Sequence, residues 1–433
     1  MKKAEITSRA IAFDILQMVL RKGQALDEVM ARHEPLSALE KRDRAFVHAL
    51  VACTLRRLGQ IDAAVKACLE KPQEVKAIVM DLLRLGAAQI LFLGTPHHAA
   101  VDTIVEVAAA GSATLPYKGL INAVLRRLTR EGEAMVKAQD AARLNTPDWL
   151  WLSWRQAYGT ALAREIALAH LGEAQTDLSV KSDPQDWAKK LGATLLPTGS
   201  LRLDGGVAIQ DLEGFEEGAW WVQDAAAAIP ATLLKDIDGH RVMDLCAAPG
   251  GKTLQLAARG ARVSAVDRSE KRLVRLNENL ARTKLEAAVF CADALTLKLG
   301  DKVHNVLLDA PCSATGTIRR HPDVQRLKTP EDVTRMADLQ RRLLDHVAAD
   351  VLAADGTMIY AVCSLQPEEA EGQVEAFLER HPRFRRDPIL AEEIGESSAL
   401  LTPVGDVRCL PCHWPEKGGL DGFFVARLTK RGA

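Results

Sequence analysis

A chain of 433 residues, 48% apolar and 26% charged, exceeds one hydrophobic core and is too apolar for disorder, so two or three globular domains are expected. Its net charge of −1 excludes a global polyelectrolyte attraction, so any nucleic-acid partner must be met by local basic surface. An aromatic content of 4% argues against a broad base-stacking platform, and no apolar run nears the ~20 residues that span a bilayer. The eight cysteines (53, 68, 246, 291, 312, 363, 409 and 412) follow no framework spacing, which points to reduced thiols in a soluble, cytoplasmic chain. Behind Lys2 and Lys3, Asp14 interrupts the apolar run, so the start reads as an amphipathic helix and not as a signal peptide.

Residues 1–145 read as helical throughout. Ile11, Ile15, Met18 and Val19 recur on one face, and Phe46, Leu50, Val51, Leu55 and Leu58 on another. Breaks at Gly23-Gln24, Pro72, Gly94-Thr95-Pro96 and Gly111-Ser112 cut the pattern into helices of ordinary length. Here 21 Lys and Arg face 16 Asp and Glu, a modest basic excess. The strings Arg9-Ala-Ile-Ala-Phe-Asp-Ile-Leu, Arg44-Ala-Phe-Val, Leu55-Arg-Arg and Gly119-Leu-Ile-Asn-Ala-Val-Leu-Arg-Arg resemble the NusB-type RNA-binding helical domain. That resemblance implies RNA contacts from this domain, with Arg126 and Arg127 as candidates; a plain bundle with solvated arginines is the competing reading.

Asn145-Thr146-Pro147-Asp148 marks a turn, after which Trp149, Trp151, Trp154 and Tyr158 read as packing residues. The pattern then shortens to strand-like runs at 178–181, 193–197 and 206–210 around a helix at 184–191, closed by Trp220-Trp221-Val222. Residues 146–225 are thus expected to form a linker and a small, RRM-like α+β module. Beyond Gly239, strands are expected at 241–246, 262–267, 288–292, 305–309, 356–363 and 422–428. They alternate with helices from Thr253 and Ser269 and over 330–354 and 367–380. Such alternation indicates a doubly wound, Rossmann-like α/β sheet over 226–433.

The loops at the carboxyl ends of these strands carry the chemistry. Cys246, Ala247, Ala248, Pro249, Gly250, Gly251 and Lys252 join the first strand to the first helix, where small residues let backbone N–H groups approach a ligand. A phosphate-binding P-loop fails, because Cys246 stands where its first glycine belongs, and no Gly-x-Gly-x-x-Gly is present. Three strands instead end in acids: Asp267, Asp293 and Asp309. Acids without a phosphate site suit a nucleoside bearing positive charge, and S-adenosylmethionine answers that description. Ala310-Pro311 turns the chain out of the sheet after Asp309, and Arg319, Arg320 and His321 follow as candidates for an anionic partner.

Cys312 and Cys363 both follow strand ends, and two thiols beside a methyl donor suggest covalent catalysis. Cytosine C5 is a poor nucleophile until a thiolate adds at C6 and makes it an enamine carbon. The residues do not rank the two thiols. Asp244-Leu-Cys-Ala-Ala-Pro-Gly-Gly-Lys-Thr, Asp309-Ala-Pro-Cys-Ser-Ala-Thr-Gly, Ile318-Arg-Arg-His-Pro-Asp, Tyr360-Ala-Val-Cys-Ser and Asp421-Gly-Phe-Phe closely resemble the RNA cytosine-5 methyltransferases, of the bacterial 16S rRNA type. The resemblance implies Cys363 as nucleophile and Cys312 as the residue that assists release. It further implies Cys246 to Lys252 along the cofactor, Asp267 on its ribose, Asp293 at its adenine amine, and Asp309 between cofactor and base. The implied substrate is 16S rRNA or a small-subunit assembly intermediate, met by a monomer with no membrane partner.

Three positions depart from the family pattern: Val362 for Thr, Ala370 for Asn, and Lys181-Ser-Asp for Arg-Val-Asn. They leave open a non-catalytic RNA-binding assembly factor on the same fold. Asp309-Ala-Pro-Cys also bears comparison with the loop of enzymes that methylate exocyclic amines, but the paired thiols oppose that. Cys409-Leu-Pro-Cys412-His413 has the spacing of a haem-attachment site and falls short of four zinc ligands, so no metal is expected.

Overall fold

The computed structural model describes residues 2–205 and 208–431. They form two compact units: one contains residues up to Gly172 together with Ile318–Lys328, the other Glu173–Thr317 and the chain from Thr329 onward.

The first unit is all helix: α1 (Lys2–Lys22), α2 (Leu26–Arg32), α3 (Glu34–Ser37), α4 (Lys41–Arg56), α5 (Leu58–Ala67), α6 (Ala77–Leu91), α7 (His97–Ala110), α8 (Lys118–Lys137), α9 (Ala141–Asn145) and α10 (Asp148–Ala169). The apolar faces read from the sequence meet in one core, with Ile11, Ile15, Val19, Leu50, Val51 and Leu55 all buried. Each such side chain contributes roughly 1.5–3 kcal/mol by leaving water. The unit does not stop at 145. Pro147 starts α10 instead of opening a linker, and Trp154 is fully buried against His170, with ring centroids 5.2 Å apart.

Ile318–Lys328 completes this unit. Asp323 Oδ2 accepts from the amide of Leu26 at 3.0 Å, and Arg326 Nη2 donates to the Asn145 carbonyl at 2.8 Å. Arg56 Nη2 donates to the carbonyl of Arg319 at 2.9 Å, and Leu327 packs on the helical core. The expected division at 1–145, 146–225 and 226–433 therefore differs from the observed one, because contacts far apart in sequence decide where this unit ends.

The second unit opens with an antiparallel sheet in the order β2-β3-β1-β4, formed by β1 (Thr176–Val180), β2 (Thr194–Leu195), β3 (Leu201–Leu203) and β4 (Trp220–Val222), with α11 (Pro184–Leu191) between β1 and β2. The strand expected at 206–210 differs: Gly206 and Val207 lie outside the described residues, and Ile209–Asp211 is a 3-10 turn. A buried ion pair ties the module together. Arg202 grips Asp177 through Nε and Nη2, both at 2.7 Å, and donates through Nη1 to the carbonyl of Gly419 at 2.7 Å.

The rest of the unit is the doubly wound sheet. It runs through α12 (Ala225–Thr232), β5 (Arg241–Leu245), α13 (Gly251–Ala258), β6 (Arg262–Asp267), α14 (Glu270–Thr283), β7 (Ala288–Cys291) and β8 (Val303–Asp309). Past α15 (Val324–Leu327), which belongs to the helical unit, come α16 (Pro330–His346), β9 (Leu352–Val362), α17 (Glu371–Arg380), β10 (Phe384–Arg386), β11 (Val407–Cys409) and β12 (Phe423–Lys430). Strand order is β10-β12-β9-β8-β5-β6-β7, with β11 also on β12; β9 through β7 are parallel, and β12 is antiparallel to β9. Side chains alternate between two cores: Val306, Leu308, Met358, Tyr360 and Val362 on the α16 and α17 side, Leu307, Ile359 and Ala361 on the α12 side. The helix expected over 330–354 ends at His346, a wider turn follows, and β9 already begins at Leu352. Strand order reverses between β5 and β8, which puts the ligand crevice outside the ends of those two strands.

Candidate active site

The turn after β5 is built for close approach. Cys246 takes φ +61°, and Gly250 takes φ +107° as it caps α13, a conformation that favours glycine. A Cβ on Gly250 would also lie 2.9 Å from Leu276 Cγ. Beneath the turn, Thr253 Oγ1 donates to Asp244 Oδ2 at 2.6 Å. Burial pushes the Asp244 carboxyl up to about 7 against that hydrogen bond, and the charges of Asp309 and Asp267 push the same way. Burial, then Asp309 and Asp267, also drive the Cys246 thiol up to about 12, so it stays protonated and inert.

A cleft lies along this turn, lined by Cys246, Asp267, Asp293, Pro311, Leu339 and Leu343 among others. Asp267 ends β6, is 3% exposed, and accepts from the amides of Ala248 (3.2 Å) and Ser269 (2.9 Å), with Arg272 Nη1 at 3.3 Å. Asp293 is exposed beyond the end of β7 and accepts from the Leu295 amide at 2.9 Å. Two carboxylates offer acceptors for the hydroxyls and amine of a nucleoside between apolar walls, and Arg268 and Arg272 also line the cleft, the latter paired with Asp267.

Lys252, expected along the cofactor, points its ammonium at Asp309: Nζ to Oδ2 is 2.7 Å, and Nζ lies 5.0 Å from the centre of the Phe423 ring. Asp309 pairs with Ala361 in the β8–β9 register, and the Ala310 amide donates to the Ala361 carbonyl at 2.9 Å. The two strands therefore release their chains side by side, and Cys312 Sγ comes to 3.4 Å from Cys363 Sγ. The hydrogen bond to Cys363 and then burial hold the Cys312 thiol well above its ordinary range, with the charges of Cys363 and Glu369 adding to this. Either sulfur of the pair can donate to the other.

Backbone contacts lock the thiol loops. The Gly316 amide donates to the Cys363 carbonyl (3.0 Å), and the Gly422 amide to the Gly316 carbonyl (2.8 Å). Arg408 Nη1 donates to the Ser364 carbonyl at 2.7 Å while Nε holds Glu371 at 2.9 Å. Sequence reasoning missed Glu369 and the pairing of Lys252 with Asp309; it expected Arg408 and Pro411 in a loop over the active site, and Arg408 lies instead in β11 with its guanidinium on Ser364. A glutamate in a Pro-Glu-Glu string reads as an exposed helix start, and nothing local marks its burial. Val362 and Ala370 lie fully inside the apolar core, and Lys181 follows β1. Cys409 is buried in β11, and His413 Nδ1 accepts from the Leu410 amide at 3.2 Å. Among the described residues no cluster of three or more His, Cys, Asp or Glu is placed to hold a metal.

The basic candidates divide. Arg319, expected at the surface, is 3% exposed inside the helical unit, where its charge and that of Arg56 lie beside His170. Burial, with those two charges, pushes the His170 ring down to about 3. Packing of Ile318–Lys328 into the helices accounts for the difference. His321 Nδ1 lies 3.3 Å from Asp27, and Arg320 is half-buried. On α8, Arg126 is exposed, and Arg127 pairs with Glu131 at 2.8 Å.

A family profile described as 16S rRNA methyltransferase RsmB/F matches residues 231–429, and one described as NusB family matches residues 6–130. The ribosomal RNA small subunit methyltransferase B of Serratia proteamaculans is 37% identical over 445 residues, 98% of each chain. That of Sodalis glossinidius is 35% identical over 452 residues, 99% of each. Among solved structures, PH0851 superposes with a TM-score of 0.75 at 23% identity, covering 98% of this chain and 99% of that one. NSun6 from Pyrococcus horikoshii with SFG gives 0.57 at 19% identity, covering 66% and 99%. At these identities the two structures speak for the fold, which agrees with the helical front end and Rossmann-like sheet expected from the sequence. Identity above one third along nearly the whole length decides the family: the chain belongs to the ribosomal RNA small subunit methyltransferases B.

Proposed function

We propose that this chain transfers a methyl group from S-adenosylmethionine to C5 of a cytosine in 16S rRNA, through a covalent bond between Cys363 and C6. The observation that carries this reading is the thiol pair, 3.4 Å apart on adjacent strand ends. The cofactor supplies an electrophilic methyl group. Cys363 sulfur adds to C6, and the electron pair of the C5–C6 double bond makes C5 nucleophilic. Negative charge spreads over the ring as the thiolate adds, and the Lys252 ammonium, fixed by Asp309, is the cation at hand to stabilise it. After C5 takes the methyl group, its proton leaves to a base. The C6–S bond then breaks, and Cys312 assists departure of Cys363.

Incubation with tritium-labelled cofactor and 16S rRNA or assembly particles, followed by mapping of the modified base, tests the reaction. Label on an exocyclic amine, or none at all, overturns it. The non-catalytic alternative drew on Val362 and Ala370, but both are core residues and neither interrupts the thiol pair.

For the cofactor, Asp267→Ala is expected to weaken S-adenosylmethionine binding by roughly 1.5–3 kcal/mol, the worth of a charge-assisted hydrogen bond. Calorimetry that finds unchanged affinity removes Asp267 from the ribose. For RNA, replacing Arg126 and Arg127 together by Gln is expected to lower the slope of log K against log salt by about 1–2, with cofactor affinity unchanged. An unaltered slope makes them solvated surface.

A further inference from the structure

Glu369 has no exposed surface, although a carboxylate in an apolar interior is costly unless fully hydrogen-bonded. Two of its side-chain partners, Ser313 and Ser364, follow the thiols, and the third is Gln340 on α16. Oε1 accepts from the Ser313 amide at 2.8 Å and from Gln340 Nε2 at 3.2 Å, while Oε2 accepts from the hydroxyls of both Ser313 and Ser364. Ser313 follows Cys312, and Ser364 follows Cys363. Gln340 also donates to the carbonyl of Pro311, the residue before Cys312, at 2.8 Å. Glu369 is itself anchored, since Tyr360, on the strand leading to Cys363, donates its hydroxyl to the Glu369 carbonyl at 2.6 Å.

We propose that Glu369 is a positioning residue for the thiol pair: one carboxylate clamps the loop of Cys312 to the loop of Cys363 through the serine that follows each cysteine. An inert filler of this space would need no charge, and its partners would not concentrate on two loops separated by 51 residues. The clamp also assigns roles. The clamp grips the Cys312 side more closely, because Ser313 is bonded through both amide and hydroxyl and Gln340 ties Pro311, whereas Ser364 is bonded through its hydroxyl alone. Release of the methylated base, the step given to Cys312, then depends on Glu369 more than addition does. This inference rests on the covalent reading above.

The test is the fate of the protein–RNA bond during turnover. Glu369→Gln keeps the shape and half of the acceptors, and Glu369→Ala removes them all. Both are expected to lower kcat, by about 10-fold and 100-fold respectively, with the KM for S-adenosylmethionine within twofold of wild type. Both should also accumulate a denaturation-resistant adduct with 16S rRNA, less in Gln than in Ala. A purely structural role predicts lost cofactor binding or a lowered melting temperature without adduct, and that result overturns the clamp, as does unchanged kcat. If the alanine variant does not fold, the glutamine variant decides alone. Cys312→Ala is run in parallel. Adduct there but none in the Glu369 variants rejects the clamp and leaves the covalent reading standing; none in Cys312→Ala rejects both.

Discussion

Cys363→Ser is expected to lose methyl transfer by at least about 10³-fold, because the reacting group of a unit that acts together is removed. A free cysteine near pKa 8.5 is a few per cent thiolate at pH 7, whereas a serine hydroxyl supplies essentially no alkoxide. The outcome at Cys312 differs in kind. Cys312→Ala retains the nucleophile and should add and methylate, then stall with the base attached. Incubated with RNA and cofactor, it is expected to give a protein–RNA band that survives denaturation and disappears when Cys363 is also replaced. A band in Cys363→Ser with none in Cys312→Ala reverses the assignment. Normal turnover in both variants without adduct removes covalent catalysis from this protein.

The second large effect belongs to a residue without a side chain. A Cβ on Gly316 would lie 1.9 Å from the Gly422 carbonyl oxygen and 2.6 Å from its carbon, and backbone cannot swing aside as a side chain can. Gly316→Ala is therefore expected to cost about 1–3 kcal/mol of stability as overpacking. Its amide also holds the Cys363 carbonyl, so the displacement passes to the thiol, where about 1 Å of misplacement costs on the order of 10²-fold in rate. Gly300→Ala, where nothing lies within 4 Å, is the control and should leave both melting and turnover nearly unchanged. Equal rates for the two variants would show that the Gly316–Gly422 approach is not what sets the thiol loop.

How much of this was legible in the sequence depends on the range of each interaction. Strands such as Arg262–Asp267 announce themselves, because a short apolar run ending in an acid before a helical pattern is local information. The carboxyl-edge placement of Asp267, Asp309, Cys312 and Cys363 followed from it. The three-residue strand Leu201–Leu203 did not, since three residues carry no period. The two thiols were expected on adjacent strand ends, and the Asp309–Ala361 register puts them there; their 3.4 Å approach across 51 residues has no local signal. Arg319 failed for the same reason in reverse. Arg319-Arg320-His321 before a proline has the local look of exposed basic surface, but Arg56 and the helices around His170 bury Arg319 from far along the chain.

The late contribution of Ile318–Lys328 to the helical unit has a consequence for synthesis. The helices up to Gly172 leave the ribosome first, yet their last piece ends 156 residues later. At ~5–20 residues per second that interval is roughly 8–30 s, long compared with the formation of single helices. Throughout it the Leu26 amide lacks Asp323, the Arg56 guanidinium lacks the Arg319 carbonyl, and the core patch that receives Leu327 stands open to water. The nascent helical unit is thus an unfinished fold with a defined gap, and it closes only after the Cys312 loop of the catalytic sheet has itself been made.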